Sequence, residues 1–185
     1  MTISYTPPAF ALPAALVCEG YALRPETDDD IPFLTRLYGT TREQELATVD
    51  WTPEQKDAFV EHQFNAQRIH YRGQIAGCAF DVIEKHGVPV GRLYLQERES
   101  RLHIVDIALM PEWCGKGLGS AILHGLIEAA GSKGKGVGIF VEKYNPALRL
   151  YRRLGFTEIQ DTDIYLEMEW VPEGYDAPLA TTPIS

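Results

Sequence analysis

Residues 78–110 hold three runs of alternating apolar and polar side chains in close succession: "CAFDVIEK" (78–85), "VPVGRLYLQE" (88–97) and "RLHIVDIALM" (101–110). A period of two marks a strand with one buried face. "HG" at 86–87 suits a tight turn and "ERESR" a looser one, so the three strands are antiparallel neighbours. The period then changes. After "WCGKGLG", Leu118, Ile122, Leu126 and Ala130, with Leu123 and Ile127, recur at helical spacing. Another apolar run, "VGIFVEK" (137–143), follows. A helix between two strands of one sheet makes those strands parallel, through a right-handed crossover. One parallel step inside an otherwise antiparallel sheet leaves few folds open.

The flanking segments complete the pattern. "YALRP" (21–25) reads as a first strand, and "FTEIQ" and "IYLEMEW" as the last two. Helices are expected over 28–38, which opens with acids and a proline, over 52–68, and over 146–154. In the second of these Thr52 is the N-cap, Pro53 takes the first helical position and Gln55 closes a capping box. Residues 40–51 form a polar connection with room for a short helix. Residues 1–18 carry Pro7, Pro8 and Pro13 without any period. They read as an arm lying on the surface or on a partner. A homodimer is a separate expectation for the chain as a whole. Residues 171–185 read as a loose tail. The expectation is one domain over 1–185 of α/β (α+β) class. Its centre is a mixed, mostly antiparallel sheet of about seven strands flanked by helices.

Composition narrows the function. The net charge of −9 argues against a nucleic-acid partner, which needs a basic face, and favours cationic small molecules. Three cysteines, Cys18, Cys78 and Cys114, show no metal-ligand spacing, so reduced thiols and no metal are expected. The N-terminus lacks a basic n-region, and no run reaches the ~18 apolar residues of a membrane span. The expected setting is the cytoplasm, away from membranes.

Gly115, Gly117 and Gly119 fall within five residues at the start of the helix, with Lys116 among them. A helix N-terminus has about four unpaired N–H groups and a partial positive charge, and phosphate binds there. Glycines remove the side chains that would hold a phosphate away and permit positive-φ turns. The stretch reads as a pyrophosphate cradle, with Leu118 and Ser120 in the first helical turn. A merely tight strand-to-helix turn is the plainer reading of the same glycines. Neither the P-loop pattern nor the Rossmann pattern fits.

"DIALMPEWCGKGLGSAILHGLI" resembles the acetyl-CoA loop of the GCN5-related N-acetyltransferase (GNAT) family, and "NPALRLYRRLGF" (145–156) resembles that family's second motif. The resemblance covers roughly residues 20–170. It implies the family's splayed parallel strand pair, with the pantetheine arm of acetyl-CoA on the backbone of Ile107, Ala108 and Leu109. It also implies cosubstrate contacts at Gly115, Lys116, Gly117, Leu118, Gly119, Ser120 and Asn145, and a general acid at Tyr151. Two departures stand out. Cys114 occupies the place of an Arg or Gln, which removes one side-chain contact to phosphate. Asn145 lies one residue closer to the following alanine than is usual.

Direct acetyl transfer needs a base for the ammonium and an acid for the leaving thiolate. Asp106 interrupts the apolar run "HIVDIALM", and a carboxylate in a central strand is costly unless paired or used. It is therefore either the general base, acting directly or through water, or part of a structural salt bridge or hydrogen bond. His103 and Glu84 are rival bases. Tyr151 is either the acid or a packing residue. If Gly155 is C′ of its helix, Tyr151 and Phe156 are the C3 and C″ pair of a Schellman cap, and both roles are compatible. Cys114 near a helix start is either a reactive thiol or a bland surface position. Arg42, Glu43, Glu45, Asp50, Trp51, Asp161 and Asp163 occupy the segments that build the acceptor site in the family. The expected function is an N-acetyltransferase acting on a primary amine of a small molecule or peptide. The alternative is a non-catalytic CoA-binding module on the same scaffold.

Overall fold

The computed structural model describes residues 10–175. Seven strands form one sheet: β1 (Tyr21–Pro25), β2 (Cys78–Lys85), β3 (Val88–Glu97), β4 (Arg101–Leu109), β5 (Gly136–Glu142), β6 (Thr157–Asp161) and β7 (Tyr165–Trp170). Their order across the sheet is β1-β2-β3-β4-β5-β7-β6. β4 and β5 are parallel and every other pair is antiparallel. The crossover between the parallel strands is α5 (Leu118–Ser132). The remaining helices are α1 (Ala14–Cys18), α2 (Ile31–Thr41), α3 (Glu43–Ala47), α4 (Pro53–Gln74) and α6 (Leu148–Arg153).

α5 buries the stripe that its sequence shows. Leu118, Ile122, Leu123, Leu126 and Ala130 pack on Leu93, Leu95, Leu102, Ile104, Val137 and Ile139 of the sheet. The opposite face receives α2 and α4 through a smaller apolar cluster of Phe33, Leu34, Leu37, Tyr38, Phe64 and Val82. α4 starts as expected: Gln55 N–H donates to Thr52 Oγ1 at 3.3 Å, and Thr52 N–H donates to Gln55 Oε1 at 2.9 Å.

Two boundaries differ from expectation. α4 runs to Gln74 rather than ending near 68, because its last turns are held by polar contacts that carry no hydrophobic period. Within the described part of the expected arm, Phe10 and Leu16 are buried in the main core and Ala14–Cys18 is helical. Gly125 of α5 leaves the space that Pro13 fills, since a Cβ there would stand 2.6 Å from the Pro13 ring. Pro7, Pro8 and residues 176–185 of the expected tail lie outside the described residues.

Candidate active site

The site originates in a break in the register of β4. Leu95 pairs with Ile104 and Tyr94 with Asp106, so Val105 is an extra residue, a β-bulge. Before it, Leu102 and Ile104 face the α5 core. After it, Ile107 and Leu109 lean on that core, while Asp106 and Ala108 face α2 and α4. Without the bulge Asp106 would alternate onto the leucine-rich face. Pairing with β5 ends at the same place: the register runs from Arg101↔Gly136 to Ile104↔Ile139 and stops, although both strands continue. β3 stays close through Gly91, where a Cβ would meet the Ala108 carbonyl oxygen at 2.5 Å.

The parting strands open a cleft of about 190 Å3. It gathers Asp106, Ile107, Ala108, Asn145 and Tyr151 of the expected site residues, and Arg42 from the expected acceptor segments. His103 and Glu84 lie outside it. His103 is buried, and burial first, then Arg98 and Arg101, push its pKa down to about 3. Glu84 is held by Arg24 at 2.6 Å.

Asp106 is half of an ion pair. Arg92, 2% exposed, donates from Nε to Oδ1 at 3.2 Å and from Nη2 to Oδ2 at 2.8 Å. Tyr71 donates its hydroxyl to Oδ2 at 3.3 Å. Gln67 Oε1 accepts from Arg92 Nη2 at 3.0 Å. The structural partner and the position in the cleft therefore coexist.

Tyr151 sits on the other wall. Phe156 N–H donates to the Tyr151 carbonyl and Gly155 N–H to the Arg152 carbonyl, both at 3.1 Å, with Gly155 at φ +90°. This is the Schellman cap, and the two rings meet edge to face at 5.5 Å. Burial, with a smaller contribution from Asp106, raises the Tyr151 pKa above the usual phenol value. Asn145 Oδ1 accepts the Ala147 N–H at 2.9 Å, so part of its capacity goes to fixing the entry to α6.

The glycine loop lies beyond the cleft, at the start of α5. Gly115 and Gly117 have φ of +71° and +89°, and a Cβ on either would meet nothing within 4 Å. The glycines thus serve backbone conformation and an open approach, not close packing. Intrahelical bonding starts with Ala121 N–H on the Gly117 carbonyl at 2.9 Å, so Leu118, Gly119 and Ser120 begin the helix with N–H groups free of intrahelical acceptors. Lys116 is exposed, with Nζ 5.9 Å from the Trp113 ring centre. Burial and then Glu112 raise the Cys114 pKa, the direction opposite to that of an activated thiol.

Residues 40–156 match the sequence profile of the acetyltransferase (GNAT) family. The chain belongs to this family. Solved structures with the same fold include the PaiA N-acetyltransferase of Thermoplasma acidophilum in complex with coenzyme A. It is 14% identical, with TM-score 0.61, covering 82% of this chain and 99% of that one. An acetyltransferase from Thermus thermophilus is 19% identical, with TM-score 0.57 and coverage of 82% and 97%. One from Streptococcus agalactiae is 13% identical, with TM-score 0.56 and coverage of 83% and 99%. No curated protein matches the sequence significantly. Among the described residues no helix of this GNAT chain is long and apolar enough to cross a membrane, and no group of three or more His, Cys, Asp or Glu could hold a metal ion.

The cleft also contains residues that sequence reading passed over: Tyr38, Gln67, Tyr71, Arg92, Glu142 and Tyr165. Arg42 lines it too, donating to the Tyr38 hydroxyl at 3.2 Å and to Glu142 at 3.3 Å. Arg92 had a visible signal, since it is a charge inside the alternating run of β3. Tyr71 had none, because it lies past the expected end of α4. Of the expected acceptor segments, Glu43, Glu45, Asp50, Trp51, Asp161 and Asp163 do not line the cleft.

Proposed function

We propose that this protein moves an acetyl group from acetyl-CoA to a primary amine of a small molecule or peptide by direct transfer. One observation carries this reading. Asp106, Tyr151 and the backbone edge of Ile107 and Ala108 meet in a single cleft at the parting of β4 and β5.

The chain's residues fit the cosubstrate. The open space around Gly115 and Gly117 leaves the first N–H groups of α5 accessible to a pyrophosphate. The unpaired edge of β4 at Ile107, Ala108 and Leu109 offers backbone groups to an extended pantetheine arm. When bound, acetyl-CoA supplies the activated acetyl group. Asp106 is the base for the acceptor's ammonium, acting directly or through an intervening group, and loss of that proton frees the nitrogen lone pair for attack. Tyr151 holds a proton for the departing sulfur. Its raised pKa keeps the phenol protonated before the transfer. Asn145 lines the same space and fixes the start of the helix that carries Tyr151.

The Arg92–Asp106 ion pair favours a second reading, in which Asp106 is structural and the scaffold binds CoA without turnover. Calorimetry with CoA, and thiol release from acetyl-CoA in the presence of lysine, spermidine, kanamycin and a peptide with a free N-terminus, separate the two. Binding with amine-dependent thiol release is the expected result. Binding with no amine dependence would move the protein to the CoA-binding module, and no binding would end both readings.

A further inference from the structure

Tyr71 is a polar group of the cleft with no part in the chemistry assigned so far. It stands on the last turns of α4, lines the cleft, and donates its hydroxyl to Asp106 Oδ2 at 3.3 Å. The carboxylate has little freedom to move. Arg92 grips it through Nε and Nη2, at 3.2 and 2.8 Å, and Arg92 is itself held by Gln67 at 3.0 Å. A guanidinium fork of this kind fixes the plane of its partner. Both carboxylate oxygens already accept bonds, whereas the Tyr71 oxygen donates one proton and keeps its lone pairs.

We propose that Tyr71 is a catalytic residue: its oxygen takes the ammonium proton of the acceptor while its own proton passes to Asp106 Oδ2. This rests on the reading of Asp106 as the base. The step balances. An N–H bond of the ammonium breaks and a Tyr71 O–H bond forms. The original Tyr71 O–H bond breaks and an Asp106 O–H bond forms. Ammonium and carboxylate become amine and carboxylic acid, and the phenol ends neutral, as it began. Arg92 and Gln67 act through the carboxylate and are positioning residues.

The surroundings of Tyr71 support a concerted transfer without a free phenolate. Arg92 and Tyr94 face it from β3, Asp106 from β4 and Tyr165 from β7, with His70 beside it on α4. Burial first, then Asp106, raise the phenol pKa well above its usual value, and Arg92 only partly opposes them. The Tyr94 hydroxyl is committed to Glu26 and does not compete for Asp106.

The test compares the full chain with its Tyr71→Phe, Asp106→Asn and Arg92→Lys variants. The acceptor is whichever of lysine, spermidine, kanamycin or the peptide turns over fastest. Measured quantities are kcat and kcat/KM against pH, CoA affinity and Tm. Tyr71→Phe should lower kcat by ~10²-fold with CoA affinity within about twofold of the parent. It should also change the acidic limb of the kcat/KM profile as Asp106→Asn does. The two changes combined should be no slower than the slower single one, as for groups that act as a unit. Arg92→Lys should retain part of the rate. A parental profile in Tyr71→Phe, with the acidic limb lost in Asp106→Asn, overturns the relay and leaves Asp106 as the base. Parental profiles in both remove Asp106 from the chemistry and the relay with it, as would an amine panel with no turnover. Should Tyr71→Phe fail to fold, a difluorotyrosine at position 71 keeps the hydrogen bond with a more acidic hydroxyl. The relay requires its pH profile to shift, and an unchanged profile overturns it.

Discussion

The two faces of the sheet are not covered alike: both carry an apolar cluster, and the face under α2 and α4 adds a network of ion pairs. α5 is held by aliphatic side chains, with Leu102, Ile122, Leu126 and Val137 all fully buried. The last turns of α4 are held by charge. Arg68 and Arg72 reach Glu26, Arg68 also reaches Asp28 at 2.9 Å, Tyr94 donates to Glu26, and Arg92 pairs with Asp106. Apolar burial is non-directional and forgiving, worth roughly 25 cal/mol per Å2 of area removed from water. A buried ion pair adds little net stability, but it fixes geometry and is costly to break on one side. The molecule thus places the forgiving contacts where only bulk is needed. The exacting ones lie where a carboxylate must be held still beside a cleft.

The largest expected effect comes from breaking that contrast on the charged side. Asp106→Leu leaves the Arg92 guanidinium buried without its counter-charge, which should cost about 3–5 kcal/mol in urea unfolding. Adding Arg92→Met should recover most of the loss. A single variant as stable as the parent would show that charge does not hold this face. On the other face Leu126→Ala should cost about 3 kcal/mol, within the ~2–5 kcal/mol range of large-to-small core changes, with no charged partner able to restore it.

Tyr151 sharpens the comparison, since it packs in the apolar core yet lines the cleft. Tyr151→Phe preserves the contact with Phe156, so Tm and CoA affinity should hold. The same variant should lose ~10²-fold in kcat, read by thiol release with an active amine. Parental kcat would end the acid assignment.

The smallest effect concerns a carboxylate on the apolar side. Asp81, 2% exposed and opposite Leu93, has its pKa raised to about 6, by burial first and Glu26 second. On the other side Asp30, hydrogen-bonded by Arg24, has its pKa lowered to about 2. The folded chain prefers Asp81 protonated. Its contribution is therefore whole below about pH 4 and lost as pH rises through about 6. Asp81→Asn should gain on the order of 2 kcal/mol at pH 8 and nothing at pH 4, measured by unfolding at both values.

The same contrast explains what could be read from the sequence. The strand runs, the α5 stripe and the parallel crossover are written in apolar periodicity, and they stand where expected. Tyr151, Gly155 and Phe156 form a local cap, and local motifs survive without knowledge of the fold. Three things escaped. Val105 is an ordinary strand residue, so nothing marks it as a bulge, and the face that Asp106 takes depends on it. The end of α4 is polar through Gln67, Arg68, Tyr71 and Arg72, so its helical period is invisible to hydrophobic patterning. Phe10 and Leu16 sit among prolines and small residues, and only the long-range packing on α5 shows their place in the core.

The parting of β4 and β5 has a consequence for solubility. Any strand edge with unsatisfied backbone groups is a template for a strand from another molecule. This protein has two outer edges and blunts both. β1 is five residues long and ends in Pro25, and β6 is five residues long with a register shift at Ile159. The edge left open, at Ile107 and Ala108, lies in the middle of the sheet. There β4 and β5 rejoin at Ile104 and Ile139, and the gap is a wedge of about 190 Å3. A thin, extended ligand can enter such a wedge, but a neighbouring β-strand with its own side chains cannot run along it. An adhesive edge can therefore stay exposed for binding without inviting aggregation.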